Sequence, residues 1–124
     1  MIKTKISPDY LGHRKRIKGK YRTGGFNGWL DYEILELALS FAIPRKDTKP
    51  IAKELLSEFK TLSNILDANS KDLGQVKGIS EHTVLFLRML KDISMLYQRN
   101  LLSNKDLISS PELVINYLNT ALKG

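Results

Sequence analysis

Five residues in the middle of the chain, Val76-Lys77-Gly78-Ile79-Ser80, combine a backbone reversal with groups able to hold an anion. Ser70 is placed to cap a short helix carrying Leu73 and Val76 inward, and Gly78 stands where a left-handed backbone ends such a helix. Ser80 precedes a second amphipathic run, in which Phe86, Met89, Leu90, Ile93 and Tyr97 repeat at the spacing of one helical face. The pattern is a helix, a hairpin and a helix. Amides at the start of the second helix point outward as donors, which suits a phosphate oxygen, and Lys77 adds positive charge beside them.

A second set of candidate residues comes from the charge, which is +7 and sits at one end. Residues 1–25 hold Lys3, Lys5, Arg14, Lys15, Arg16, Lys18, Lys20 and Arg22 against the single acid Asp9. The other residues balance, with twelve basic side chains against twelve acidic ones. A localised positive patch is the electrostatic footprint of a polyanion partner, and counterion release makes such binding steeply dependent on salt. The alternative for the same residues is a solvated helix face or a mobile basic arm.

The elements that must position these groups are all helical in pattern. A first helix is expected from about Pro8 to Tyr21, with Leu11, Ile17 and Tyr21 as a narrow apolar edge. Arg14, Lys18 and Arg22 form a row on another face, where like charges repel unless something negative compensates. Gly12 and Gly19 weaken this helix and make it dependent on packing, and His13 reads as a polar surface residue. Thr23 to Gly28 reads as a flexible linker, after which Trp29 and Leu30 open the core.

Asp31 is the expected cap of the next helix, in which Glu33, Glu36 and Ser40 leave only a thin polar stripe among Ile34, Leu35, Leu37, Ala38, Leu39, Phe41 and Ala42. Such a helix belongs at the centre. Glu33 and Glu36 read as first-turn carboxylates favoured by the helix dipole rather than metal ligands, since no His or Asp at matching spacing accompanies them. Pro44 ends the helix. Arg45-Lys46-Asp47 is a charged turn in which Arg45 and Lys46 are candidates for phosphate contact, or Arg45 for fixing the turn through a carboxylate. Asp47 or Thr48 caps a helix with Pro50 in its first turn and Ile51, Ala52, Leu55, Leu56 and Phe59 inward. Thr61 caps a short helix with Leu62, Ile65 and Leu66. No run alternates as a strand would, so the expected fold is an all-α small helical bundle. Three regions are expected: a basic segment over 1–25, a helical core over 26–99 with the hairpin unit at 70–97, and a linker with a fresh helix over 100–124. Ser110-Pro111-Glu112 would start that helix, and Leu113, Val114, Tyr117, Leu118, Ala121 and Leu122 would give its apolar face.

The segment Leu73 to Ser80 resembles the helix-hairpin-helix motif of DNA repair and recombination proteins, apolar-x-Gly-apolar-Gly, with Gly78 and Ile79 matching and Ser80 in place of the second glycine. Gly12 to Tyr21 (GHRKRIKGKY), Leu30 to Phe59 and the VKGIS hairpin follow the order and spacing of the amino-terminal domain of RadC-like proteins, a resemblance that covers Leu11 to Tyr97 and is most specific at Ile43-Pro44-Arg45-Lys46-Asp47. It implies an all-α module containing a helix-hairpin-helix, a role in DNA binding under the family's DNA repair label, and a monovalent cation at the hairpin carbonyls. It also implies a second domain of the JAB/MPN metalloprotease type with a His-x-His signature. This chain contains only His13 and His82, so it is expected to be an amino-terminal fragment or a truncated protein.

Much chemistry is disfavoured by what the sequence lacks. There is no cysteine, no Gly-x-x-x-x-Gly-Lys loop and no clustered metal-ligand pattern, and the two histidines stand at a basic helix and a helix start. The chain is therefore expected not to be an enzyme, to hold no cofactor of its own, and, lacking a long apolar run, to be soluble and cytoplasmic with no membrane partner.

Two readings stay open. In one, the chain is a DNA-binding module of low sequence specificity, using Lys77, Gly78, Ile79 and Ser80 at the hairpin, Arg14, Lys15, Lys18 and Arg22 on the first helix, and Arg45 and Lys46 at the charged turn. Glu81, beside the proposed phosphate, counts against it. In the other, the bundle packs on a JAB/MPN domain, a like subunit or another protein, with exposed Trp29 or Phe26 marking the contact. Proximity of the basic helix to Lys77-Gly78 would favour the first.

Overall fold

The computed structural model describes residues 9–103 and, past them, 112, 115, 116 and 118–120. Lys3 and Lys5, the expected linker from residue 104 on and most of the expected last helix lie outside the described residues, whereas the first residues of that linker, 100–102, belong to a helix. The fold is all-α: among the described residues helices run from α1 (Asp9–Gly24) through α2 (Asp31–Ala42), α3 (Lys49–Phe59), α4 (Leu62–Asp67) and α5 (Ser70–Gly74) to α6 (Glu81–Leu102), residues 112, 115, 116 and 118–120 are helical as well, and there is no strand. The chain divides into two compact units, Met1–Phe86 and Leu87–Gly124. No helix among the described residues is long and apolar enough to cross a membrane.

In the first unit α2 is central, packing against α1 on one side and α3 on the other, and α3 in turn meets α4. Leu39, Leu55, Ile65 and Leu73 are fully buried, one from each of α2 to α5. Each such side chain is worth roughly 1.5–3 kcal/mol of burial, which explains how the short α4 and α5 persist when isolated helices of their length would not. α1 is held by Ile17, which joins Trp29 and Leu37 in a cluster flanked by Ile34.

The central place of α2 agrees with its composition, but its rotation does not. Glu36 is only 3% exposed and Ser40 is buried, whereas Phe41 is 65% exposed. The expected polar stripe faces inward because it finds partners there: Ser40 Oγ donates to the Leu37 carbonyl at 2.6 Å, and Glu36 meets His13 of α1. Burial of polar groups follows from such pairing rather than from periodicity. His13 is accordingly not a free surface residue.

Two caps fall one residue from their expected places. Leu30, not Asp31, is the N-cap of α2, and its amide donates to Glu33 Oε1 at 2.9 Å, so Glu33 does reach back over the first turn. Asn69, not Ser70, caps α5 by accepting from the Asp72 amide at 2.8 Å. At α3 Asp47 Oδ1 accepts from the Lys49 amide, while Thr48 is the N-cap by position only: its hydroxyl, fully buried, makes no cap hydrogen bond and donates instead to the Glu36 carbonyl at 2.8 Å. Thr61 caps α4 as expected, accepting from the Asn64 amide at 3.0 Å.

α1 runs to Gly24, so Thr23 and Gly24 are helical rather than linker. Gly25, at φ +61°, reverses the chain, and its amide donates to the Tyr21 carbonyl at 2.8 Å. On α6 the buried positions are Thr83, Val84 and Leu87, while Met89, Ile93 and Tyr97 of the expected inward face are exposed. The sequence carries two stripes at helical spacing, and the rotation with which α6 leaves the hairpin selects Thr83 and Val84.

Candidate nucleic-acid interface

The hairpin is built from α5, the turn at 75–80 and the start of α6. Gly78 adopts φ +92°, a conformation that costs an L-side chain roughly 1–2 kcal/mol. A second constraint acts at the same atom: a Cβ there would lie 3.0 Å from Ile51 Cδ1 and 3.1 Å from Cγ1. Gly78 is thus favoured by its own backbone, and any side chain there would also need Ile51 to give by a few tenths of an ångström. Ile79 is buried and its amide donates to the Val76 carbonyl at 3.1 Å, so it closes the turn inside the fold. Ser80 Oγ accepts from the Thr83 amide at 3.3 Å and caps α6. The α6 amides at Glu81 and His82 have no helical carbonyl upstream of them.

Contact between the hairpin and α3 brings distant cations together. Lys46, from the α2–α3 loop, and Lys77, with Gly78, line one cleft of about 620 Å³ along with Asp47, Pro50, Ile51 and Glu54. Both lysines are exposed, as is Arg45 beside them. The acids Asp47 and Glu54 offset part of the charge. A separate groove of about 390 Å³ at the hairpin is lined by Ser70, Lys71, Gly74, Gln75, Ile79, Glu81 and Val84. Glu81 therefore borders a different groove from the one that holds Lys46 and Lys77.

Arg14 links α1 to this cleft from within. Its side chain is only 8% exposed, and its fork donates to three carbonyls of the α2–α3 loop: Nη1 to Pro44 at 2.6 Å, Nη2 to Lys46 at 2.6 Å and to Ile43 at 3.4 Å. Such charge-assisted bonds hold the loop and suit the negative end of α2. The sequence places Arg14 in a solvent-facing row with Lys18 and Arg22, and the structure instead turns it inward as the fixing group of the charged turn, a part expected of Arg45. The remaining cations of α1 stay outside: Lys15 and Arg22 are exposed and Lys18 is half-buried.

Lys18 and Arg22 line a further groove, of about 390 Å³, with Tyr21, Phe26, Leu37, Ala38 and Phe41. Lys18 Nζ lies 5.1 Å from the Phe41 ring centroid. Tyr21 and Phe26 are in ring contact at 4.7 Å, and Phe26 rests edge-on against Trp29 at 5.2 Å. Trp29 itself is buried, so it is not an exposed contact residue; Phe26 is exposed as expected. Apolar patterning assigns Phe41 to the core, and for that reason gives no sign of this groove.

Beneath the interface lies the pair of His13 Nε2 and Glu36 Oε2, 3.0 Å apart. Burial raises the Glu36 carboxyl above its ordinary value of 4.5; the charge of His13 opposes the rise, Asp47 adds to it, and Lys49 and the His13 hydrogen bond oppose it. Among the described residues no group of three His, Asp, Glu or Cys side chains is placed to hold a metal ion.

The chain is similar to UPF0758 proteins. It is 43% identical over 115 residues to a UPF0758 protein of Fusobacterium nucleatum, covering 93% of this chain and 50% of that protein. With a UPF0758 protein of Ruegeria pomeroyi it shares 35% identity over 116 residues, covering 93% of this chain and 52% of the relative. The chain thus spans about half the length of the curated relatives it matches. UPF0758 is the RadC family, so these relatives agree with the resemblance to RadC-like proteins. No family model and no solved structure matches the chain.

Proposed function

We propose that this chain is a DNA-binding module of a RadC-like protein, one that grips the phosphate backbone with little regard for base sequence. The observation that carries the reading is the meeting of Lys46 with Lys77 and Gly78 in one cleft, although the two lysines are far apart in the chain. A phosphate at this cleft is held by the two ammonium groups and by amides of the turn. Lys15, Lys18 and Arg22 extend the positive track along α1, and Arg14 supports it by fixing the loop that carries Arg45 and Lys46. The helix-hairpin-helix identity of α5, the turn and α6 belongs to the same proposal, with the Ser80 hydroxyl serving as helix cap where the motif has glycine. The phosphate contacts do not depend on the monovalent cation that the resemblance implies. In this reading the chain contributes binding and no catalysis of its own.

Contacts of this kind read charge and shape, so affinity falls steeply with salt. The test is fluorescence anisotropy of a labelled duplex with the 124-residue chain at low and physiological salt. Tight binding at low salt that weakens at higher salt supports the proposal; absence of binding at low salt overturns it.

A second reading has one observation of its own. Leu30 and Leu85 are 60% and 59% exposed, which suits a module that docks on a JAB/MPN domain or on another protein. It becomes the better account if the duplex assay is negative.

A further inference from the structure

We infer that the groove between α1 and α2 takes unpaired bases of single-stranded DNA, with Phe41 as the stacking platform and Lys18 and Arg22 holding the flanking phosphates. This rests on the DNA-binding reading above and names the form of DNA that the reading leaves open.

The argument begins with the place of Phe41. It sits on the most buried helix of the fold, yet its ring is 65% exposed. Immersing such a ring in water is unfavourable, and its one described electrostatic neighbour is a cation, Lys18, 5.1 Å from the centroid. Across the same groove Tyr21 and Phe26 are both exposed and braced on one another, and Phe26 is further held against Trp29. Rings held in this way present their faces with little conformational freedom left to lose on binding.

Charge then selects the occupant. The residues lining this groove include two cations and no acid, unlike the Lys46–Lys77 cleft, where Asp47 and Glu54 offset the lysines. Exposed aromatic rings interleaved with cations and free of carboxylates match what a single strand offers: flat apolar bases alternating with phosphates. A duplex keeps its bases stacked on each other and offers no open face to Phe41. The two sites therefore divide the labour, the cleft taking backbone of any form and the groove taking unpaired bases.

The experiment compares labelled oligothymidine with a duplex of the same length, by anisotropy, using the 124-residue chain and its Phe41→Ala, Phe41→Leu and Phe41→Tyr variants. Base stacking on one aromatic ring predicts a loss of about tenfold in single-strand affinity for Phe41→Ala, with duplex affinity unchanged. Phe41→Leu keeps apolar bulk without a π face and shows the same loss, while Phe41→Tyr retains binding. Trp29 is the sole tryptophan and touches Phe26, so its emission is expected to change on saturation with oligothymidine. Single-strand affinity indifferent to both Phe41→Ala and Phe41→Leu, or an equal loss on both DNA forms, overturns this inference while leaving backbone binding intact. Failure of every DNA form to bind overturns both. Capture of an acidic peptide in place of oligothymidine also overturns it.

Discussion

Arg14 of α1 donates to the carbonyl of Lys46 at 2.6 Å, so a buried guanidinium near the start of the chain fixes the backbone of an exposed lysine across the helix interface. The same side chain donates to Pro44, and the two bonds use the fork geometry that lysine lacks. Arg14→Lys and Arg14→Ala are both expected to destabilise the fold, by about 2–3 kcal/mol, because loop carbonyls are deprived of a charged donor. Urea denaturation measures the effect. If either variant unfolds at the wild-type midpoint, Arg14 is not the fixing group.

The phosphate track has its own signature. The variant carrying Lys46→Gln and Lys77→Gln is expected to bind duplex more weakly, with the slope of log affinity against log salt shallower by about 0.9 for each phosphate that is no longer neutralised. A salt titration of wild type and variant gives the two slopes directly. Parallel lines would remove the cleft from the DNA interface. Arg14 is unsuited to this test, since its replacement disturbs the loop itself.

Gly78 and Ile51 are predicted to be coupled. Gly78→Ala is expected to cost about 2 kcal/mol, part from its left-handed backbone and part from the approach to Ile51. Ile51→Ala removes the clashing atoms, so the double variant should be less destabilised than the two single effects added together. A double-mutant cycle in urea reads the coupling. Strict additivity would mean that backbone strain alone demands the glycine.

Glu36 gives a pH dependence whose sign follows from its raised carboxyl. The folded state binds its proton more tightly than the unfolded chain, so this group's contribution to stability is fully present below pH 4.5 and is lost as pH rises through the raised value. Glu36→Gln carries no proton to lose. Its unfolding free energy is expected to be flatter than that of wild type just above pH 4.5, and at neutral pH no lower. Thermal melts across that range compare the two. A wild type that gains stability relative to Glu36→Gln on going from pH 4.5 to neutral would show that the His13 attraction outweighs burial.

The helices and the main turns were legible in the linear order of residues. Their signals are local: Pro44 and Pro50 bracket the α2–α3 loop, Thr61 caps its helix, and Gly78 sits where only a left-handed residue closes the hairpin. Near-continuous apolarity was enough to make α2 central. The charge asymmetry and the exposed cations Lys15, Arg22, Arg45, Lys46 and Lys77 were legible too, because a short charged turn or a helix face far from the core has no reason to hide them.

The rotation of each helix, and the long-range partners that follow from it, came from packing instead. A helical period marks two or three stripes on α1, α2 and α6 without saying which one meets a neighbour. The packing of α1 on α2 chose the stripe holding His13, Arg14 and Ile17. That choice turned Glu36 inward to meet a histidine and Arg14 inward to meet three carbonyls, and left Phe41 outside over Lys18. The meeting of Lys46 with Lys77 is of the same kind, since it depends on α3 pressing Ile51 against Gly78. Local chemistry writes a helix and its caps; the energy that selects a face comes from residues on another element, and linear spacing carries no record of it.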